Sequence, residues 1–72
     1  MVRFVDVKLG DVLYDYCQGE YGRDYSTVYV NAVDEQAQQA IVYECGETRT
    51  YSKVQIEVLH SVPPSRSQTY NR

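Results

Sequence analysis

Apolar and polar residues alternate in short runs along most of the chain, the period of half-buried strands rather than of an amphipathic helix. From Val12 to Cys17, Val12, Tyr14 and Tyr16 fall on one side and Leu13, Asp15 and Cys17 on the other. β-Branched and aromatic residues dominate this run, which reads as a strand. Ser26 to Val33 is the clearest case, with Val28, Val30 and Ala32 facing one way and Thr27, Tyr29, Asn31 and Val33 the other. Thr48 to Tyr51 and Gln55 to His60 alternate again, the last with Ile56 and Val58 opposite Glu57 and Leu59. Before the first strand, residues 1–10 hold a short alternation of Val2, Phe4 and Leu9 against Arg3, Asp6 and Lys8.

Turn residues punctuate these runs. In Lys8-Leu9-Gly10-Asp11, Gly10 permits a positive φ and Asp11 has an oxygen to bond nearby backbone, so a turn feeds the first strand. Residues 18–24, with two glycines and four charged residues or amides, form a loop, and Cys45-Gly46-Glu47 is a tight turn. Asp34 to Cys45 has two readings. As a helix it is capped by Asp34 and closed by Gly46, and its Glu, Gln and Ala content suits that state. As a hairpin, Asp34 to Ala37 connects to a return strand over residues 39–43, where Ile41, Val42 and Tyr43 fit the pleat better than a helix turn. The need of the preceding strand for a neighbour favours the hairpin. Ser52-Lys53-Val54 reads as one helical turn, and after Val62 two prolines without periodicity predict a disordered tail. The expected organisation is a single domain over 1–62 and a tail over 63–72.

Five short strands with turns every 8–12 residues predict an all-β fold, and at this size a bent five-stranded barrel hides most edges. The entry Leu9-Gly10-Asp11-Val12, the polar loop at 18–25, two tight hairpins, the one-turn helix at 52–54 and the last run to Leu59 together resemble an SH3-like barrel over residues 9–60. The chain departs from the signalling version of that family: it has no tryptophan, and only Tyr14-Asp15-Tyr16 approximates the aromatic element of a proline-peptide groove. In style, a short acidic tyrosine-rich barrel also looks like the small accessory proteins of bacteria and their phages.

Size and charge narrow the function classes. With 72 residues the core is thin and leaves little room for loops around a catalytic cleft. No apolar run approaches the roughly 20 residues that span a bilayer, and the start lacks a secretory h-region, so a cytoplasmic protein without membrane contact is expected. The net charge of −3 conceals an asymmetry: residues 11–60 carry nine acids and three bases, between weakly basic ends. Phosphate backbones are held by clustered Lys and Arg, which this body lacks. Cys17, Cys45 and His60 are three soft ligands without metal-binding spacing, and they read as reduced thiols and a surface imidazole. No nucleophile–base–orienter set and no phosphate loop is present, so neither enzyme activity nor a cofactor is expected.

Tyrosine is the informative residue. Eight tyrosines stand against one phenylalanine. A phenol packs on one side and stays wet on the other, which enriches it at binding surfaces. Tyr14, Tyr16, Tyr21 and Tyr25 crowd the first strand and its loop as candidate anchors, with Asp15, Glu20 and Asp24 as orienting charges and Arg23 among them. The leading expectation is a protein-binding module that meets a basic partner patch through this tyrosine and carboxylate face, with self-association through a leftover barrel edge as an additional option. Two alternatives stand beside it. One is nucleic-acid binding with Tyr29, Tyr43 and Tyr51 as stacking platforms. The other is an acidic inhibitor that mimics nucleic acid through Glu20, Asp24, Asp34, Glu35 and Glu47.

Overall fold

A computed structural model describes residues 2–16 and 25–64 of the chain. Strands β1 (Val12–Asp15), β2 (Ser26–Asp34), β3 (Gln39–Glu44) and β4 (Glu47–Ser52) form one antiparallel sheet in chain order. A 3-10 turn at Phe4–Asp6 precedes the sheet, and a short helix, α1 (Lys53–Glu57), follows it.

The stretch after Asp34 adopts the hairpin. Residues 35–38 connect the strands, Asp34 Oδ1 accepts from the Ala37 N–H at 3.1 Å, and Gln38 closes the turn at φ 55°. Burial explains the choice. On β3, Ala40, Val42 and Glu44 turn inward while Gln39, Ile41 and Tyr43 stay exposed, a period of two that a helix does not produce. The second hairpin turns on Cys45 (φ 54°) and Gly46 (φ 79°), two consecutive left-handed residues as a type I′ connection requires.

Two sequence expectations give way to packing. The first is the phase of β2. Val28 pairs with Glu44 and Val30 with Val42, but the next pair is Ala32 with Ile41, so Asn31 is an extra residue in a β-bulge. The bulge shifts the alternation by one. Val33, opposite buried Ala40, packs against the core in place of Ala32, so the larger apolar side chain goes inside. The backbone of Val30 is also shared here with the incoming chain, through Gly10 N–H to Val30 O and Val30 N–H to Asp11 O, both at 2.9 Å.

The second concerns the expected fifth strand at residues 55–60 and the closed barrel it would complete. Among the described residues the sheet has four strands and is open. Ser52 and Gln55 form a reciprocal capping box, each side chain accepting from the other's backbone N–H, and this extends the helical turn to Glu57. Helical geometry places Ile56 and Leu59 together in the core and leaves Val54 and Val58 outside, whereas a strand would have split Ile56 from Leu59. Of the strand only one bridge remains, where Tyr14 and His60 exchange backbone hydrogen bonds of 2.8 and 2.9 Å.

Phe4, Val7, Leu13, Val28, Val30, Ala40, Val42, Ile56 and Leu59 make the core, on one side of the sheet. The Phe4 N–H donates to Glu57 Oε2 at 2.9 Å, tying the N-terminal turn to α1 above that core. Among the described residues no helix is long and apolar enough to cross a membrane.

Candidate interaction surface

Three of the expected anchors are brought together at the end of β1. Tyr14 meets Tyr25 edge-to-face, with ring centroids 5.8 Å apart and planes at 63°. Tyr16 lies flat on His60, 3.6 Å between centroids and 10° between planes, and its hydroxyl donates to the Val62 carbonyl at 2.6 Å. The Tyr14–His60 bridge creates this stack by laying the chain after α1 along β1. His60 is therefore half-buried under an aromatic ring, where the sequence indicated an exposed strand end. Tyr21, Glu20, Arg23 and Asp24 lie outside the described residues.

A second group of aromatics sits on the outward face of the sheet. Val12 of β1 pairs with Tyr29 of β2, Tyr29 with Tyr43 of β3, and Tyr43 with Thr48 of β4, so four strands contribute one transverse row. Ala32, Ile41 and Thr50 form the next row. Tyr29 and Tyr43 are 49% and 43% exposed, Ile41 42% and Val12 38%. None of these positions carries a charge. Tyr14, opposite Thr27, continues the face toward Tyr25.

The inward face ends differently. Asp15 lies on the same side as Leu13, turned from the outward tyrosines toward Glu44 of β3. Glu44 is only 3% exposed, yet its carboxylate accepts from the Tyr51 hydroxyl and stands 3.9 Å from Arg49 Nη1. Arg49 also donates to Tyr51 Oη at 3.5 Å and to Glu47 at 3.3 Å. Burial raises the Asp15 carboxyl above its ordinary range, the neighbouring Glu44 raises it further, and His60 and Arg49 oppose the shift. Burial, then the bond to Glu44, raises the Tyr51 phenol. Asp15, Tyr51, Gln55, Val58 and Leu59 line a hollow of about 200 Å³ beside this cluster.

Of the three central tyrosines, then, Tyr29 and Tyr43 are neighbours on one face and Tyr51 belongs to the other. The buried cluster went unread in the sequence, although Ala40, Val42 and Glu44 share one alternation phase and a carboxylate on an inward phase is its signal. Cys45 is an exposed thiol, 3.4 Å from Ser26 Oγ. Among the described residues no group of three or more His, Cys, Asp or Glu is placed to hold a metal ion. Compared with known proteins, the chain matches no family model, no curated sequence and no solved structure.

Proposed function

We propose that the protein is a non-enzymatic module that binds another protein through the outward face of its sheet, with Tyr29 and Tyr43 as central anchors and Tyr14 and Tyr25 extending it. One observation carries this reading: Val12, Tyr29 and Tyr43 of one row and Ile41 of the next form an uncharged, half-exposed apolar patch on an otherwise acidic body. Aromatic rings flanked by threonines supply contact area at little entropic cost, and depletion of charge marks the centre of an interface. Asp34 and Glu35, at the β2–β3 end of the face, favour a partner with a basic patch.

The test is capture of partners from a lysate of the source cells by the immobilised protein, compared with the Tyr29→Ser, Tyr43→Ser double variant. Loss of a specific band with an unchanged circular dichroism spectrum supports the reading, and undiminished capture refutes it. Base stacking on the Tyr29–Tyr43 pair is the rival use of the same face. A gel shift with single-stranded oligonucleotides at about 50 mM salt, abolished at about 200 mM, would favour that rival. Nucleic-acid mimicry draws less support, because the described acids Asp34 and Glu35 lie at one end of the sheet and Glu47 at the other.

A further inference from the structure

The two edges of the sheet are not equivalent. The β1 edge is covered at Tyr14 by the backbone of His60. Among the described residues the β4 edge has no such cover. Glu44 and Glu47 flank the two-residue turn and so form the hydrogen-bonded closing pair of the hairpin. Alternation then makes Val42–Arg49 and Ala40–Tyr51 the other bonded pairs, and directs the N–H and C=O groups of Thr48 and Thr50 away from β3. Among the described residues nothing bonds to them. Natural edges are commonly blunted by proline, a bulge or an outward lysine. β4 has no proline and no bulge, its register with β3 is continuous and its outward side chains are Thr48, Thr50 and Ser52, while the charges it carries, Glu47 and Arg49, are paired with each other on the inward side.

We propose that β4 pairs with β4 of a second copy, antiparallel about a two-fold axis at Thr50, to give a continuous eight-stranded sheet. The sequence of the edge selects this occupant and this register. Face matching requires that the axis pass through a residue, which leaves Arg49 or Thr50 as the centre of the strand. An axis at Arg49 sets that guanidinium opposite its own copy, a like-charge pair that destabilises the ladder. An axis at Thr50 sets Arg49 opposite Tyr51 and Thr48 opposite Ser52, and brings Glu47 toward Lys53 at each end. Read in reverse, Glu47-Thr48-Arg49-Thr50-Tyr51-Ser52-Lys53 is therefore charge-complementary to itself. The same register places the free N–H and C=O of Thr50 opposite those of the second Thr50, the arrangement of a bonded pair. The Ser52 N–H is already taken by Gln55, so the ladder is short and the dimer belongs to the weak, transient class. It also joins two outward tyrosine faces side by side, although the pairing does not depend on what those faces bind.

Sedimentation and light scattering from about 10 µM to about 1 mM read the association, a range suited to a small interface. The wild type is expected to dimerise with rising concentration. Thr50→Lys, at an exposed position, is expected to remain folded by circular dichroism and to weaken the dimer at least about tenfold by placing lysine against lysine. In a Cys17→Ser, Cys45→Ser background, Thr50→Cys is expected to cross-link on oxidation, since bonded antiparallel pairs bring Cα atoms to about 5.5 Å, within disulfide reach. A protein monomeric throughout that range overturns the proposal. So does a Thr50→Lys variant that dimerises like the wild type, or cross-linking at Arg49→Cys and not at Thr50→Cys. The Tyr29→Ser, Tyr43→Ser variant is expected to dimerise normally; loss of its dimer would assign self-association to the outward face instead.

Discussion

Glu44 sits in the one place where a carboxylate should be most costly, an inward strand position beside Val28 and Val42. What makes it tolerable is a donor on each accessible side: the Tyr51 hydroxyl, the Arg49 guanidinium, and the Asp15 carboxyl when protonated. Tyr51→Phe removes the donor while keeping the ring, and should destabilise the fold by about 1–3 kcal/mol in urea titrations, the cost of an under-satisfied buried acceptor. Asp15 works in the opposite sense. Its folded-state pKa is raised, so ionisation is disfavoured in the native protein relative to the unfolded chain. This group's contribution is most favourable below its unfolded value of 3.8 and is lost as pH rises through the folded value. Asp15→Asn should therefore be more stable than the wild type at pH 7, with the two urea midpoints converging as pH falls toward 3.8. A gap independent of pH would mean that neither burial nor Glu44 raises the carboxyl.

At the scale of elements, short local contacts decide between competing states. The segment after Ser52 has strand-like alternation, yet the capping box satisfies backbone donors at the start of a helix and the Ile56–Leu59 spacing rewards continuing it. Ser52→Ala should cost about 1 kcal/mol and lower the thermal midpoint, because the Gln55 N–H loses its acceptor. Ile56→Ala, at a fully buried position, should cost about 2–5 kcal/mol. The β3–β4 turn carries a correctable strain. Cys45 holds φ 54°, where asparagine is far better suited than cysteine. Cys45→Asn creates an Asn-Gly turn and should stabilise the hairpin by about 0.5–1 kcal/mol, read as a raised denaturation midpoint.

Across the sheet as a whole, charge and apolar surface are segregated. The body is acidic, but the transverse row from Val12 to Thr48 is neutral, and the inward face keeps its acids in one hydrogen-bonded cluster. If the outward face binds a basic partner as proposed, association should slow as salt rises from about 50 to about 200 mM, with dissociation changing less, since screening acts on long-range steering. Tyr29→Ser with Tyr43→Ser should abolish binding while costing less than about 1 kcal/mol of stability, the scale of an exposed cross-strand pair. Surface plasmon resonance and urea titration on the same preparations would separate the two effects.

The alternation of Val12 to Asp15, Ser26 to Val30 and Thr48 to Tyr51 was enough to place three strands, because period two is a local property written in each segment, whereas residues 39–43 read as a strand rather than a helix only through the need of the preceding strand for a neighbour. Gly10 and Gly46 marked their turns for the same reason: a positive φ is a demand on one residue. The abundance of tyrosine announced a wet aromatic surface, but not which tyrosines share it. Three outcomes needed the folded chain. The bulge at Asn31 depends on whether Val33 or Ala32 better fills the space opposite Ala40, and on the claim of Gly10 and Asp11 upon the Val30 backbone. The helix at Lys53–Glu57 depends on a core into which Ile56 and Leu59 can enter together. The meeting of Asp15, Glu44 and Tyr51 in one inward cluster follows from register across strands distant in sequence, which the alternation within each strand does not carry.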